Sequence, residues 1–245
     1  MGNKLDHGIQ QNVKSFPIVE LRQYTLHPGK RDVLIHLFDR EFIESQEAAG
    51  IQVIGQFRDI DNSDRFVWMR GFPDMLRRAE SLAAFYTGEV WKAHREVAND
   101  TMIDSDNVLL LRSAYSGSEF TFGAHGIFPE ARGLAVAIIF YLNSFPDGTL
   151  IRDLEQQLET VAIQSHAARL ALLISEQSGN TFPQLPVREG ENVFVHFLHF
   201  RDVDSAYAQS QRWRERIAEE FPNFDRKPEV LRLLPTDRSR VPGVY

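Results

Sequence analysis

The chain has 245 residues, 43% apolar and 25% charged, the composition of an ordinary globular protein with room for one large domain or two small ones. Its 27 basic and 34 acidic residues leave a formal charge of −7, with no basic cluster dense enough to neutralise a row of phosphates, so nucleic acid is excluded as an expected partner. The absence of cysteine excludes disulfide frameworks, thiolate metal sites and cysteine nucleophiles. The N-terminal stretch MGNKLDHGIQQNVKSF lacks an apolar signal region, and no later apolar run is long enough for a membrane span. The sequence therefore reads as cytoplasmic, with residues 1–16 a flexible lead-in.

The first element is Glu20-Leu-Arg-Gln-Tyr-Thr-Leu-His-Pro-Gly29, a strand that runs into a helix start. Side chains alternate along a strand, so Leu21, Gln23 and Thr25 share one face while Glu20, Arg22 and Tyr24 share the other. Beyond Pro28-Gly29, Leu34, Phe38 and Phe42 recur every four residues beside Val33 and Leu37, which predicts a one-sided helix ended by Gly50. Ile51, Val53, Gly55 and Phe57 alternate with Gln52, Ile54, Gln56 and Arg58 in a second strand. The polar turn Asp59 to Asp64 leads into a third, Arg65 to Phe72, with Phe66, Trp68 and Arg70 on one face. A long helix carrying Leu76, Ala79, Leu82, Ala83 and Tyr86 runs past Trp91 and His94, with a break expected near Thr87-Gly88. Asp104-Ser-Asp-Asn107 reads as a turn into a short fourth strand, Val108 to Arg112. The order over residues 17–112 is βαββαβ, a ferredoxin-like unit.

Residues 113–132, rich in Ser and Gly, read as a connection. Residues 133–235 repeat the order. A strand Leu134 to Leu142 is followed by a helix with Leu150, Leu154, Leu158 and Val161, and strands follow over 169–175 and 192–200. A helix carrying Tyr207 and Trp213 and a last strand, Val230 to Leu234, complete the unit, with 236–245 as a tail. Tyr24 matches Tyr141 at a spacing of 117, Trp68 matches His196 at 128, and the pairs Trp91–Trp213 and Val108–Val230 both match at 122. The step in spacing places about eleven extra residues at 176–191, a length more common in functional loops than in neutral linkers. This segment is expected to lie as a lid over one end of the structure, with Phe182, Leu185 and Val187 facing a cavity or the opposite sheet.

A single unit leaves one face of its sheet free of helices, and a second copy buries it. The expected fold class is therefore α+β: two tandem ferredoxin-like βαββαβ units packed sheet to sheet as an α+β barrel, with Glu20, Arg22 and Tyr24 looking into its interior. Whether the halves pair within one chain or across a homo-oligomer is left open.

Several short motifs occur in order along residues 18–234. They are Glu20 to Tyr24 with Pro28-Gly29, Trp68 and Arg70, Arg77-Arg78 leading to Phe85-Tyr86 and Val90-Trp91-Lys92, Asp104 to Val108, and Asn180 to Arg188. In these the chain resembles the NIPSNAP family, within the dimeric α+β barrel superfamily. The resemblance implies the fold, and for activity a small-molecule-binding or scaffold-like protein without an agreed reaction.

The expected site is a cavity between the sheets lined by Glu20, Arg22, Tyr24, Trp68, Arg70 and His196, with Arg188 of the loop in reach of an anionic group. Its ligand would be a small, partly apolar, acidic molecule. The competing structural reading makes Glu20 and Arg22 an ion pair and Trp68 and His196 core residues. An alternative function is an oxygenase in which His196, as candidate base, takes a proton from a phenolic substrate while Arg22 stabilises the anion. A third is an interaction scaffold with a filled barrel. No HExxH, phosphate loop or dinucleotide fingerprint is present, so neither a metal nor a cofactor is expected. The superfamily resemblance brings in haem as an alternative, with His94, His166 and His196 as candidates.

Overall fold

A computed structural model describes residues 16–121, 133–164, 166–220 and 224–241, and leaves the side chains at 161 and 213–225 undescribed. The expected lead-in, most of the 113–132 connection, and the Val161 and Trp213 side chains thus lie outside the described residues.

The strands are β1 Ile18–Leu26, β2 Gln52–Asp59, β3 Arg65–Phe72, β4 Met102–Ser113, β5 Leu134–Leu142, β6 Ala167–Ser175, β7 Val193–Phe200 and β8 Phe224–Pro235. The helices are α1 Arg31–Leu37, which runs through a π turn, Phe38–Phe42, into α2 Ile43–Ala48, then α3 Met75–Thr87, α4 Glu89–Asn99, α5 Gly148–Gln164 and α6 Val203–Glu220. The break at Gly88 lies where the sequence put it. Two strands begin six residues earlier than expected. Asp104 to Asn107 belong to β4 and pair with β1 rather than turning, and β8 starts six residues ahead of Val230.

All eight strands join in one closed barrel in the order β1-β3-β2-β8-β5-β7-β6-β4. Each half contributes the ferredoxin-like order, β4-β1-β3-β2 and β8-β5-β7-β6. The halves meet edge to edge along two short seams, Phe57 to Asp59 against Leu233 to Pro235, and Leu111 to Ser113 against Leu173 to Ser175. The barrel thus closes within one chain.

β1 and β5 sit at the centre of their halves, with a partner on each side and cover on both faces. All nine residues of β5, LAVAIIFYL, are buried, and the continuous apolar run follows from that. The barrel interior is one contiguous apolar cluster that includes Val19, Leu21, Phe57, Val67, Met69, Leu111, Ile139, Val195, Phe197 and Leu231. Outside the barrel, α1 to α4 cover the first half over Leu34, Phe38, Phe42, Phe66, Trp68, Leu82 and Phe85, and α5 covers the second with Ile151, Leu154 and Leu158. At about 1.5–3 kcal/mol for each fully buried large apolar side chain, these three clusters supply the main drive to fold.

This arrangement corrects the expected facing of β1. Val19 and Leu21 point into the barrel, while Tyr24 packs under the helices with Trp68 and Phe66. Glu20 and Arg22, on Tyr24's face, lie in the helix-covered layer and not in the interior. The apolar set takes the more secluded position because a closed barrel interior offers no solvent and few polar partners. A cavity between the sheets lined by Glu20, Arg22, Tyr24, Trp68, Arg70 and His196 is therefore not what the chain builds.

Strand register also corrects the internal match. Arg22 stands opposite Trp68 and Val108, and Ile138 stands opposite His196 and Val230. Arg22 thus matches Ile138, at a spacing of 116 rather than 117, while the Trp68–His196 and Val108–Val230 matches hold. Gln56 opposite Trp68 matches Leu172 opposite His196, so the loop between β6 and β7 is longer by twelve residues.

Candidate functional site

Four charged side chains meet in the layer between the first sheet and its helices. Glu20 and Arg22 come from β1, Arg70 stands opposite Glu20 on β3, and Arg78 comes from the first turns of α3. Asp74 caps α3 by accepting from the Arg77 backbone N–H at 2.7 Å. On that helix Arg78 lies on the same stripe as Leu82 and Phe85, which turns it inward.

One carboxylate serves three guanidinium groups. Arg22 Nη1 donates to Glu20 Oε2 at 2.5 Å, Arg70 Nε to the same oxygen at 2.8 Å, and Arg78 Nε to Oε1 at 2.7 Å. None of the four is more than 1% exposed. Arg22 Nε donates to the Tyr24 hydroxyl at 2.9 Å, and Arg70 Nη1 reaches Gln46 Oε1 and the Tyr86 hydroxyl, both at 3.4 Å. Both cations lie over the Trp68 ring, Arg22 at 5.5 Å and Arg70 at 5.1 Å from its centroid.

Burial by itself would raise the Glu20 carboxyl, but Arg70, Arg22 and Arg78 outweigh it and hold the group well below the usual carboxylate range. Burial lowers Arg78 below the ordinary guanidinium value despite Glu20. Burial likewise raises the Tyr24 phenol. Desolvation costs several kcal/mol per ion, and a single carboxylate offsets it for three cations only in part. Two buried donors, Arg78 Nη2 and Trp68 Nε1, also find no hydrogen-bond acceptor among the described residues. The layer is rich in donors and positive charge and poor in acceptors.

Beside the cluster lies an aromatic cleft of about 40 Å³ lined by Tyr24, Phe38, Phe42, Trp68, Tyr86 and Trp91, among others. Leu34, Phe38, Phe42 and Gln46 line it at every fourth residue. In a regular helix that spacing drifts by about 40° per step. The wider π turn at Phe38–Phe42 takes up part of the drift and keeps the row on one face.

The structure brings Glu20, Arg22, Tyr24, Trp68 and Arg70 together, but leaves His196 and Arg188 elsewhere. His196 lies opposite Ile138 and Leu172, whose side chains pack under the second unit's helices. Burial, and then Arg169, pushes it down to about 3. Arg188 donates to Glu191 at 2.5 Å, Asn107 at 3.1 Å and the Tyr141 hydroxyl at 3.3 Å.

The loop at 176–191 does not cover a barrel end. It lies along β4, with the Glu176 and Arg188 N–H groups bonded to the Leu110 and Val108 carbonyls, and reaches across the first unit's helix layer. There Phe182, Leu185 and Val187 pack against the first unit's cluster. Phe182 stacks on Tyr86, with ring centroids 5.9 Å apart. Arg78 Nη1 donates to Asn180 Oδ1 at 3.0 Å and to Thr181 Oγ1 at 3.1 Å. At the base of the loop is a polar hollow of about 320 Å³ bounded by Leu110, Asn180, Val187 and Arg188.

Arg78, Tyr86, Gln46 and Asn180 escaped the sequence-based site. For Arg78 a signal existed, since it precedes Leu82 by four residues and Phe85 by seven on an apolar stripe.

Among the described residues no group of three or more His, Asp or Glu side chains could hold a metal. No histidine lines the aromatic cleft, and its volume is far below that of a porphyrin, so the residues there do not fit a haem. His94 contacts Glu41 at 3.5 Å, and His166 sits on an exposed turn. Also among the described residues, no helix is long and apolar enough to cross a membrane.

Fold and site define an eight-stranded α+β barrel of two ferredoxin-like units with a buried, cation-rich layer in the first. The family model for NIPSNAP matches residues 19–116, which span the first unit. Over nearly full length the fold is similar to that of a proposed monooxygenase from Fusobacterium nucleatum, with a TM-score of 0.57 at 9% identity, covering 94% of this chain and 97% of the other. It is also similar to a proposed monooxygenase from Lactobacillus acidophilus, with a TM-score of 0.53 at 12% identity, covering 90% and 94%. An anthrone oxidase-like protein gives 0.54 at 15% identity, covering 93% and 95%. At these identities the likeness is one of fold. No curated protein matches the sequence.

Proposed function

We propose that the protein binds a small, partly apolar anion in the helix–sheet layer of its first unit, the anionic group facing Arg22, Arg70 and Arg78 and the body entering the aromatic cleft. The observation that carries this reading is the excess of cations, three guanidinium groups to one carboxylate in a fully buried layer. An occupant with acceptor oxygens would lower the cost of that excess and take up the Arg78 and Trp68 donors. Titration of the full chain with arene carboxylates and with inorganic phosphate, followed by calorimetry, tests it. Arg70→Leu is expected to weaken binding by at least about tenfold, the loss of one charge-assisted hydrogen bond. Arg70→Lys keeps the charge and controls for folding. Equal affinities for wild type and Arg70→Leu would sink the reading.

A second reading, oxygenation of a phenolic substrate, is favoured by the full-length likeness to proteins named as monooxygenases. Arg22 would stabilise the substrate anion. His196 has no part in it, being in the other unit's layer. Oxygen uptake on adding a polyhydroxylated arene separates this reading from binding alone.

A further inference from the structure

Resting on that reading, we infer that the site is held by its own loop, and that the loop reveals the ligand class: an aryl-substituted carboxylate. Asn180-Thr181-Phe182 places two acceptor oxygens on the third guanidinium and, one residue on, a phenyl ring on a tyrosine. Asn180 Oδ1 and Thr181 Oγ1 both accept from Arg78 Nη1, so the loop supplies uncharged oxygens to a guanidinium that a carboxylate would bind more strongly. Phe182 lies nearly parallel to Tyr86, at an interplanar angle of 25°. Tyr86 also lines the aromatic cleft, and its hydroxyl accepts from Arg70, so a ring replacing Phe182 would lie at the cleft's mouth.

The segment is built to leave as well as to stay. It belongs to no helix or strand, and among the described residues its middle is anchored by apolar contact of Phe182, Leu185 and Val187 and by the Thr181 hydroxyl donating to the Met75 carbonyl at 3.1 Å. Within it, Asn180 Nδ2 donates to the Leu185 carbonyl at 2.9 Å, and Asn180 Oδ1 also accepts from the Phe182 N–H at 3.1 Å. The segment is thus folded on itself and can move as a unit. Its base borders the 320 Å³ hollow, which gives room for displacement. Gly190, at φ +75°, supplies a left-handed joint that an L side chain would strain. The aromatic cleft, at about 40 Å³, is too small for an arene unless a ring moves; Phe182 is not part of its lining but stacks on Tyr86, which is, and its departure would bare that face of Tyr86.

The test uses the full chain with 3-phenylpropionate as probe and acetate as the ring-free control. A seated loop taxes affinity in proportion to its occupancy, so Phe182→Ala is expected to tighten both probes, 3-phenylpropionate by about tenfold. Asn180→Ala/Thr181→Val should tighten both probes. In the wild type, 3-phenylpropionate should speed amide exchange over residues 180–187, an effect that a merely structural loop would not show. Slower exchange there, or weaker binding by Phe182→Ala, would mean that the loop closes over the ligand, and the inference falls. If the wild type binds both probes equally without loop exposure, the self-occupied site falls while the anion-binding reading stands. If neither wild type nor variants bind any carboxylate, both fall.

Discussion

In the first unit the layer between sheet and helices holds Glu20, Arg22, Tyr24 and Arg70. By strand register the matching positions of the second unit are Val136, Ile138, Phe140 and Leu198, with His196 in the place of Trp68. The second unit therefore acts as an internal control. It shows that this architecture is satisfied by an apolar layer, and that the ionic cluster is not a requirement of the fold. Buried ions that a fold does not need cost stability, and a cluster of them where the matching described positions of the second unit are apolar or His196 is the ground for placing the proposed binding in the first.

The strongest way to break the comparison is to separate the units. Residues 1–120 alone would expose the interior face built from Val19, Leu21, Val67, Met69, Leu109 and Leu111, together with both seam edges. They are expected to self-associate or aggregate in sedimentation experiments. A stable folded monomer would show that neither unit constrains the other.

Next in size is the cluster itself. Glu20→Ala leaves three buried cations without their carboxylate, and should lower unfolding free energy in urea by about 3–5 kcal/mol. A change within about 0.5 kcal/mol would mean that the layer is wet. Giving the first unit the second unit's chemistry, with Glu20→Val, Arg22→Ile, Arg70→Leu and Arg78→Met together, should leave stability equal or raise it by about 1–4 kcal/mol while abolishing anion binding. A large loss of stability would instead make the cluster structural.

The second unit carries its own buried titratable group. The unfolded chain takes up a proton at His196 near the ordinary pKa of about 6.5, whereas burial lowers the native value to about 3. The unfolded state binds more protons in that window, so stability falls as pH drops from about 6.5 towards 3, by about 1.4 kcal/mol per unit. His196→Phe should flatten this slope by one proton in denaturant midpoints compared at pH 6.5 and 4.5. His199, pushed down to about 4 by burial and then by Arg201, keeps a slope of the same sign over a shorter pH window. Glu20 acts lower on the scale. Its contribution is present above about pH 4.3, the unfolded carboxylate value, and is lost as pH falls through its depressed native pKa. An unchanged slope in His196→Phe would place the histidine in contact with water.

The smallest effect should come from the second unit's surface charges. Glu155 pairs with Arg169 where both side chains are partly exposed, at 24% and 31%. Glu155→Gln should cost less than about 1 kcal/mol in the same urea assay. A cost near that of Glu20→Ala would erase the distinction between buried and surface pairs on which the comparison rests.

The element order was legible in the sequence because helix and strand periods alternate cleanly and the loops carry Gly, Pro and Asp. The ferredoxin-like topology follows from that order. The faces of β1 were harder to read. Alternation sorts Glu20, Arg22 and Tyr24 from Leu21 and Gln23, but does not say which set looks into the barrel, because both faces of a central strand are covered. The chemistry of the sets held the answer, since a closed interior admits the apolar side more readily than three polar groups. The false Tyr24–Tyr141 match came from identity alone. Tyr141 belongs to the interior cluster and Tyr24 to the helix layer, so the two cannot be equivalent. Arg78, Tyr86 and Asn180 complete the site from elements far apart in the chain, and only their tertiary placement brings them to Glu20. The path of the 176–191 loop over the first unit had no local signature, because its anchors, Arg78, Tyr86 and Met75, lie about a hundred residues earlier.

Closure of the barrel within one chain has a consequence for saturation. A barrel assembled from two identical subunits would carry every buried cation twice and so offer two equivalent layers. Here Val136, Ile138 and Leu198 remove the second set, and the expected stoichiometry is one ligand per polypeptide. Titration curves should then be hyperbolic, with a Hill coefficient of about one and a midpoint unaffected by protein dilution.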